Sequence, residues 1–200
     1  MVQKVISVVI LFLVLWSCNT EIKPEEPRQL PVFGERYYDE VKKDTIYHTI
    51  PHFHLTNHQN ENFCSDTLAG KVYLADFFFT HCPTMCPIMT SALKRIQGEI
   101  SLDSINIVSI SIDPKNDTPA QLSSYIKKNH IDTTNWFLLR GEQEKLDPIG
   151  YEGFFTSFGE DDAAPGGYFH SSNIYLIDTK GRIRGLYDGM DEESMRQLPI

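Results

Sequence analysis

Apolar positions along this chain fall into two periods. Val72-Tyr73-Leu74-Ala75-Asp76-Phe77-Phe78-Phe79 is a nearly continuous apolar run after Gly70, broken only by Asp76. Such a run predicts a strand covered on both faces. Pro87 suits the first turn of a helix, and Met89, Leu93, Ile96 and Ile100 then recur at helical spacing. Ile105 to Ile112 reads as a second inner strand, ended by Asp113-Pro114. Thr118-Pro119-Ala120-Gln121 predicts a helix start running to about Lys128, with Thr118 as N-cap and Gln121 completing a capping box. Trp136 to Leu139 reads as a short strand and Glu142 to Tyr151 as a helix. Residues 152–169 read as a long Gly- and Phe-rich loop, and Asn173 to Asp178 with Arg182 to Tyr187 as a closing hairpin.

Strands alternating with helices predict an α/β domain with a parallel central sheet and a terminal hairpin. The Cys-x-x-x-Cys at the first strand-to-helix junction points to a thioredoxin-like fold with insertions. Upstream, Ile46 to Leu55 is extended but interrupted by Pro51. Residues 1–17 read as a lipoprotein-type signal segment, 18–43 as a flexible tether rich in Pro and Glu, and 44–200 as the folded domain.

The signal segment bears on location. Lys4 precedes the apolar run from Val5 to Trp16, and Leu15-Trp16-Ser17-Cys18 resembles a bacterial lipobox, which ends in a lipid-modified cysteine. Cys18 is therefore the expected lipidation site; the alternative is an uncleaved N-terminal anchor. Either reading places the body outside the cytoplasm, held at a membrane and facing periplasm or exterior. The net charge of −9 argues against a nucleic-acid partner.

The candidate chemistry is concentrated in Cys82, Cys86 and His170. Two soft thiolates and an imidazole are what a copper(I) ion needs. A helix N-terminus lowers thiol pKa, and the thiolate both binds metal and attacks disulfides. Even on a full helical turn, Cα atoms four residues apart lie about 6 Å apart, within disulfide range. The pair thus suits a metal-bound dithiolate, a redox-active disulfide or a structural staple. No proline lies between Pro165 and Pro199, where redox thioredoxins place a substrate-docking cis-proline; His170 holds that neighbourhood instead.

Other residues offer secondary possibilities. Asp76 resembles the buried proton-relaying carboxylate of redox thioredoxins. His81 adjoins Cys82. Met85 and Met89 are soft donors that also serve as core filler. Asp113 and Asp117 follow a strand end, where loop shaping and capping compete with a site role. His48, His52, His54 and His58 would share one face of an unbroken strand, as a second metal site or as a solvated edge. Cys64 reads as a partly buried free thiol, or as an extra redox or metal contact.

Three separated segments carry a family resemblance. Phe77 to Pro87, Ser111-Ile112-Asp113-Pro114 with Asp117-Thr118-Pro119, and His170-Ser171-Ser172 before Ile174 to Asp178 resemble the Sco/SenC family, over roughly Asp44 to Asp188. The resemblance implies a membrane-tethered, thioredoxin-like copper chaperone. Its expected role is assembly of the dinuclear copper centre in subunit II of cytochrome c oxidase, the copper acceptor. It maps the metal ligands onto Cys82, Cys86 and His170. Thr84 stands where many family members carry an acidic residue. The alternative function is a thiol-disulfide oxidoreductase, with Cys82 and Cys86 as its redox-active pair, that keeps oxidase cysteines reduced for metal loading. A weaker third is peroxide handling or redox sensing.

Overall fold

The computed structural model describes residues 29–99 and 105–199. The signal segment, Cys18, the first part of the tether and Ile100 lie outside the described residues. In chain order the strands and helices are β1 (Arg36–Asp39), β2 (Asp44–Tyr47), β3 (His54–Asn57), β4 (Asn62–Cys64), β5 (Val72–Phe78), α1 (Met85–Glu99), β6 (Ile105–Ser111), α2 (Pro119–Asn129), β7 (Trp136–Arg140), α3 (Gln143–Pro148), β8 (Gly159–Glu160), β9 (Tyr168–Phe169), β10 (Asn173–Ile177), β11 (Ile183–Asp188) and α4 (Glu192–Arg196).

Seven strands form one sheet in the order β11-β10-β5-β6-β7-β3-β4. Strands β5, β6 and β7 are parallel, and β10, β11, β3 and β4 pair antiparallel with their neighbours. The sheet is therefore mixed, with a parallel centre as the apolar runs predict. β5 is buried from Tyr73 onward, so both its faces must be covered. Phe77 meets Phe154, Phe158 and Tyr175 on one face, with ring centroids 5.0–6.5 Å apart. Phe78 packs on Tyr125 of α2 on the other, at 5.4 Å. α1 buries Cys86, Met89, Thr90, Leu93, Ile96 and Gln97. This helical stripe seats α1 on the sheet and carries Cys86 inward with it.

Three expectations change. Residues 152–169 are mostly loop, as read, but not entirely so: a π-helical turn at Ile149–Gly153 leads into them, and β8 and β9 form a two-residue ladder within them. A ladder that short leaves no alternating pattern to read. Gln121 does not complete a capping box. Thr118 Oγ1 accepts from the Gln121 amide at 3.2 Å, but the Gln121 side chain donates to Thr80 Oγ1. The tether, placed over 18–43, is held well before residue 44. The Phe33 amide donates to the Ile183 carbonyl at 2.9 Å, and β1 pairs with β2. Arg184 donates from Nε to the Pro31 carbonyl at 2.8 Å and from Nη2 to the Leu30 carbonyl at 2.5 Å. β11 is an edge strand, and its free edge gives this segment something to bind. Composition alone does not reveal that.

Arg184→Ala should remove both charge-assisted bonds to this segment, each worth about 1.5–3 kcal/mol, together with the Arg184 bond to Asp178 Oδ2 at 3.0 Å. The Phe33 amide should then exchange with solvent at least tenfold faster while amides of β5 and β6 keep their protection. Unchanged exchange at Phe33 would show that Arg184 does not hold this segment.

Candidate metal centre

β5 ends in Phe78, and the chain from Phe79 to Thr84 turns into α1. Cys82 lies on that turn and Cys86 is the second residue of the helix. The Cys86 amide donates to Cys82 Sγ at 3.5 Å, and Thr84 Oγ1 lies 3.8 Å from the same sulfur. Cys82 therefore caps α1 with sulfur, where unpaired amides and the positive dipole end favour an anion. Its thiol is lowered to about 4. The largest cause is the Cys86 side chain donating to it; burial opposes, and the Cys86 and Thr84 amides add to the lowering. Cys86 is pushed up, first because it is the partner holding the shared proton and then by burial. The two shifts are opposite in direction, so a proton shared by the pair favours Cys86 over Cys82.

His170 follows β9 directly. Its Nε2 lies 3.5 Å from Cys86 Sγ. Its Nδ1 lies 2.8 Å from the Ser171 carbonyl oxygen, which can only accept. The proton therefore belongs on Nδ1, and the Nε2 lone pair faces the sulfurs. This is the carbonyl-oriented imidazole typical of metal-ligating histidines. Phe79 meets the ring edge-on at 5.7 Å. The two sulfurs and an imidazole nitrogen lie within 4.8 Å of one another, all three residues buried. The structure thus brings together the three residues that the sequence singles out. Gly166 closes the wall behind them at φ +84°; a Cβ there would stand 2.8 Å from the Phe79 ring. Only glycine fits both the backbone and the space.

The other candidates fall elsewhere. His81 is half exposed, with Nδ1 3.1 Å from Thr80 Oγ1 and 3.9 Å from Asp117 Oδ1; it groups with Asp113 and Asp117, not with the cysteines. Asp117 is fully buried and accepts from the Thr80 amide, the Thr80 hydroxyl and the Ser111 hydroxyl. It pins the start of the cysteine turn to the end of β6. Burial pushes its carboxyl up, with those bonds opposing. Asp113 accepts from the Asn116 amide and side chain and from Tyr168 Oη. Met89 is core, and Met85 packs against the core edge. Asp76 is buried, and its carboxyl is raised to about 7 by burial, against the bond from Ser109 Oγ at 2.5 Å. Trp136 Nε1 donates in turn to Ser109 Oγ at 2.9 Å. Sequence reasoning missed Ser109, Trp136 and the Ser171 carbonyl. All three act through tertiary neighbours or backbone, which leave no motif.

Fold and site together define a thioredoxin-like domain with a buried centre of two thiols and one imidazole. The family model described as SCO1/SenC matches residues 41–197, and the chain belongs to that family. The chain is 31% identical over 156 residues to a SCO1 protein homolog of Bacillus subtilis, covering 74% of this chain and 78% of that protein. A SCO1/SenC family lipoprotein from Bacillus anthracis superposes with a TM-score of 0.67 at 31% identity, covering 76% of this chain and 95% of that one. The copper-bound structure of ScoI from Bradyrhizobium japonicum gives 0.58 at 25% identity, covering 75% and 97%. Copper is the metal of this class, and the donor set here suits it.

The shared proton sets the reactivity of the pair. In reduced, metal-free protein, iodoacetamide should label Cys82 ahead of Cys86. The Cys82 rate should stay within about threefold from pH 8 to pH 5, because its thiolate persists down to about pH 4. A rate falling tenfold per pH unit would contradict this assignment.

Proposed function

We propose that this chain is a membrane-tethered copper chaperone that loads the dinuclear copper centre in subunit II of cytochrome c oxidase, with Cys82, Cys86 and His170 as the ligands. The reading rests on one observation: both sulfurs and a lone-pair-bearing Nε2 converge within 4.8 Å in a buried setting. Membership of a copper-binding family agrees with it. Two thiolates and an imidazole form a soft set for copper(I). Three ligands leave one side of the ion open to an acceptor's ligands, so the ion can pass by ligand exchange. Cys82 is already ionised, while Cys86 must release its proton as the ion binds. Anchoring through a lipid on Cys18 belongs to the same proposal, and a lipoprotein among the structural relatives supports it. Among the described residues no helix is long and apolar enough to cross a membrane.

Anaerobic copper(I) titration of the reduced full chain should give one ion per chain at this centre. Cys82→Ser or Cys86→Ser should nearly abolish it, and His170→Ala should weaken it at least tenfold. Unchanged retention in His170→Ala would remove the imidazole from the ligand set. Oxidising Cys82 and Cys86 to a disulfide should block binding, since both thiolates are consumed.

A second reading, a thiol-disulfide oxidoreductase, is favoured by one feature: the buried Asp76 carboxyl that titrates near 7 behind the pair. In a reductase this group would relay a proton as the mixed disulfide resolves, an effect worth about 10²–10⁴-fold in rate. Ligand exchange of copper needs no relay. Asp76→Asn should therefore leave copper affinity and oxidase loading in cells within about twofold of the unsubstituted protein. Loss of oxidase assembly in a folded variant with normal copper affinity would instead establish the reductase reading.

A further inference from the structure

We propose that Tyr168 is a positioning residue for His170: its hydroxyl bond to Asp113 sets the reach of the imidazole toward the two sulfurs. The inference rests on the copper reading above and deepens it. The strand that delivers His170 is weakly held by its own backbone. β9 is two residues long and pairs with the two residues of β8 alone. The chain enters it through Gly166 and Gly167, both at positive φ. A segment with so few ladder bonds opens easily unless side chains fix it.

Tyr168 supplies that fixing. Its side chain is buried, and Oη donates to Asp113 Oδ1 at 3.1 Å, with Glu160 Oε1 at 3.4 Å as the longer contact. A phenol has one proton to give. Asp113 is the nearer and buried acceptor, whereas Glu160 is exposed and engaged by Lys115 Nζ at 2.5 Å. A bond from a hydroxyl to a buried carboxylate is of the strong, charge-assisted kind. Asp113 is itself fixed, accepting from the Asn116 amide at 3.0 Å and from Asn116 Nδ2 at 2.8 Å. The Tyr168 ring packs on Phe79 at 5.4 Å, and Phe79 meets His170 edge-on. Tyr168 therefore reaches the imidazole twice, along the chain and through the Phe79 ring.

The loop that carries Asp113 also carries Asp117, which accepts from the Thr80 amide and hydroxyl at the start of the cysteine turn. Residues 113–117 thus hold both halves of the centre. Asp117 holds the sulfur side and Asp113, through Tyr168, the nitrogen side. The 3.5 Å separation of Cys86 Sγ and His170 Nε2 is set across this one loop. Outer contacts of this kind govern how well a histidine ligand is aimed.

Two variants test the bond from its two ends. Tyr168→Phe keeps the ring on Phe79 and removes the hydroxyl; Asp113→Ala removes the acceptor. The first readout needs no metal. In the reduced, metal-free full chain, the His170 ring nitrogens should report the Nδ1–H tautomer alone by NMR. In either variant they should shift toward the average of a free imidazole, while amides of β5 and β6 keep their protection. The second readout is copper(I) affinity, expected to fall about fivefold or more in each variant. Placed on the His170→Ala background, Tyr168→Phe should cost less than about twofold, because the imidazole it acts through is gone. Should Tyr168→Phe not fold, Asp113→Ala carries the same readouts. Ring nitrogens unchanged in the folded variants, or an equal affinity loss with and without the imidazole, would overturn the proposal. A chain that takes no copper would refute the copper reading, and the NMR comparison would still decide this one.

Discussion

The hydrogen bond from the Cys86 amide to the Cys82 sulfur sets the order of everything else at this centre. After the thiol of Cys86, which donates to the same sulfur and is the larger influence, it favours ionisation of Cys82, because a sulfur at the first turn of α1 faces amides with no other partner. Once Cys82 is the anion, Cys86 is bound to be the proton holder, and His170 Nε2 meets the thiol side of the pair. One backbone contact thus helps give two chemically equal residues different roles. The contact exists only because β5 delivers the chain to α1 through a turn of fixed length. That turn is held at one end by Asp117 and at the other by the helix.

Buried carboxylates show how the fold distributes polar cost. Asp117 is satisfied by Thr80 and Ser111, Asp113 by Asn116 and Tyr168, and Asp76 by Ser109. The first two are placed where loops must be pinned to strand ends, and their hydrogen bonds specify one geometry for the cysteine turn and one for Tyr168. Asp76 is different. It has a single strong partner and sits in the middle of the sheet, so burial dominates and its carboxyl titrates near neutrality. Its electrostatic coupling reaches Cys86. The same carboxyl that costs stability when ionised also raises the barrier to ionising Cys86.

Much of this was legible in the sequence. The apolar run at β5, the helical stripe of α1 and the β-branched run of β6 each impose one period, so element type follows directly. Cys82 and Cys86 stood out because few sequences set two soft donors at a helix start, and His170 stood out by its place before a late strand and by the family resemblance. What was not legible depended on partners far along the chain. The docking of Leu30 to Phe33 needs the open edge of β11. The orientation of His170 needs the carbonyl of Ser171, a group every residue possesses. The row of histidines looked uniform because period two was counted through Pro51; in the structure His48 meets the Gly153 carbonyl and Phe155, while the exposed His52 pairs with Asp66.

Chaperone and reductase draw on one dithiol, so the distinction between them lies in protons and in access, not in the sulfurs. A copper ion arriving at the resting pair finds one thiolate and must expel one proton, from Cys86. That proton is held more tightly by the neighbouring negative charges of Cys82 and Asp76. Copper(I) is soft enough to displace it, and a harder ion gains less from sulfur. Expelling that proton is a cost for any ion, and strong metal–thiolate bonding is what offsets it. A disulfide substrate would meet a different cost at the resolving step, because the Cys82 charge that holds the Cys86 proton is gone once Cys82 is in a mixed disulfide.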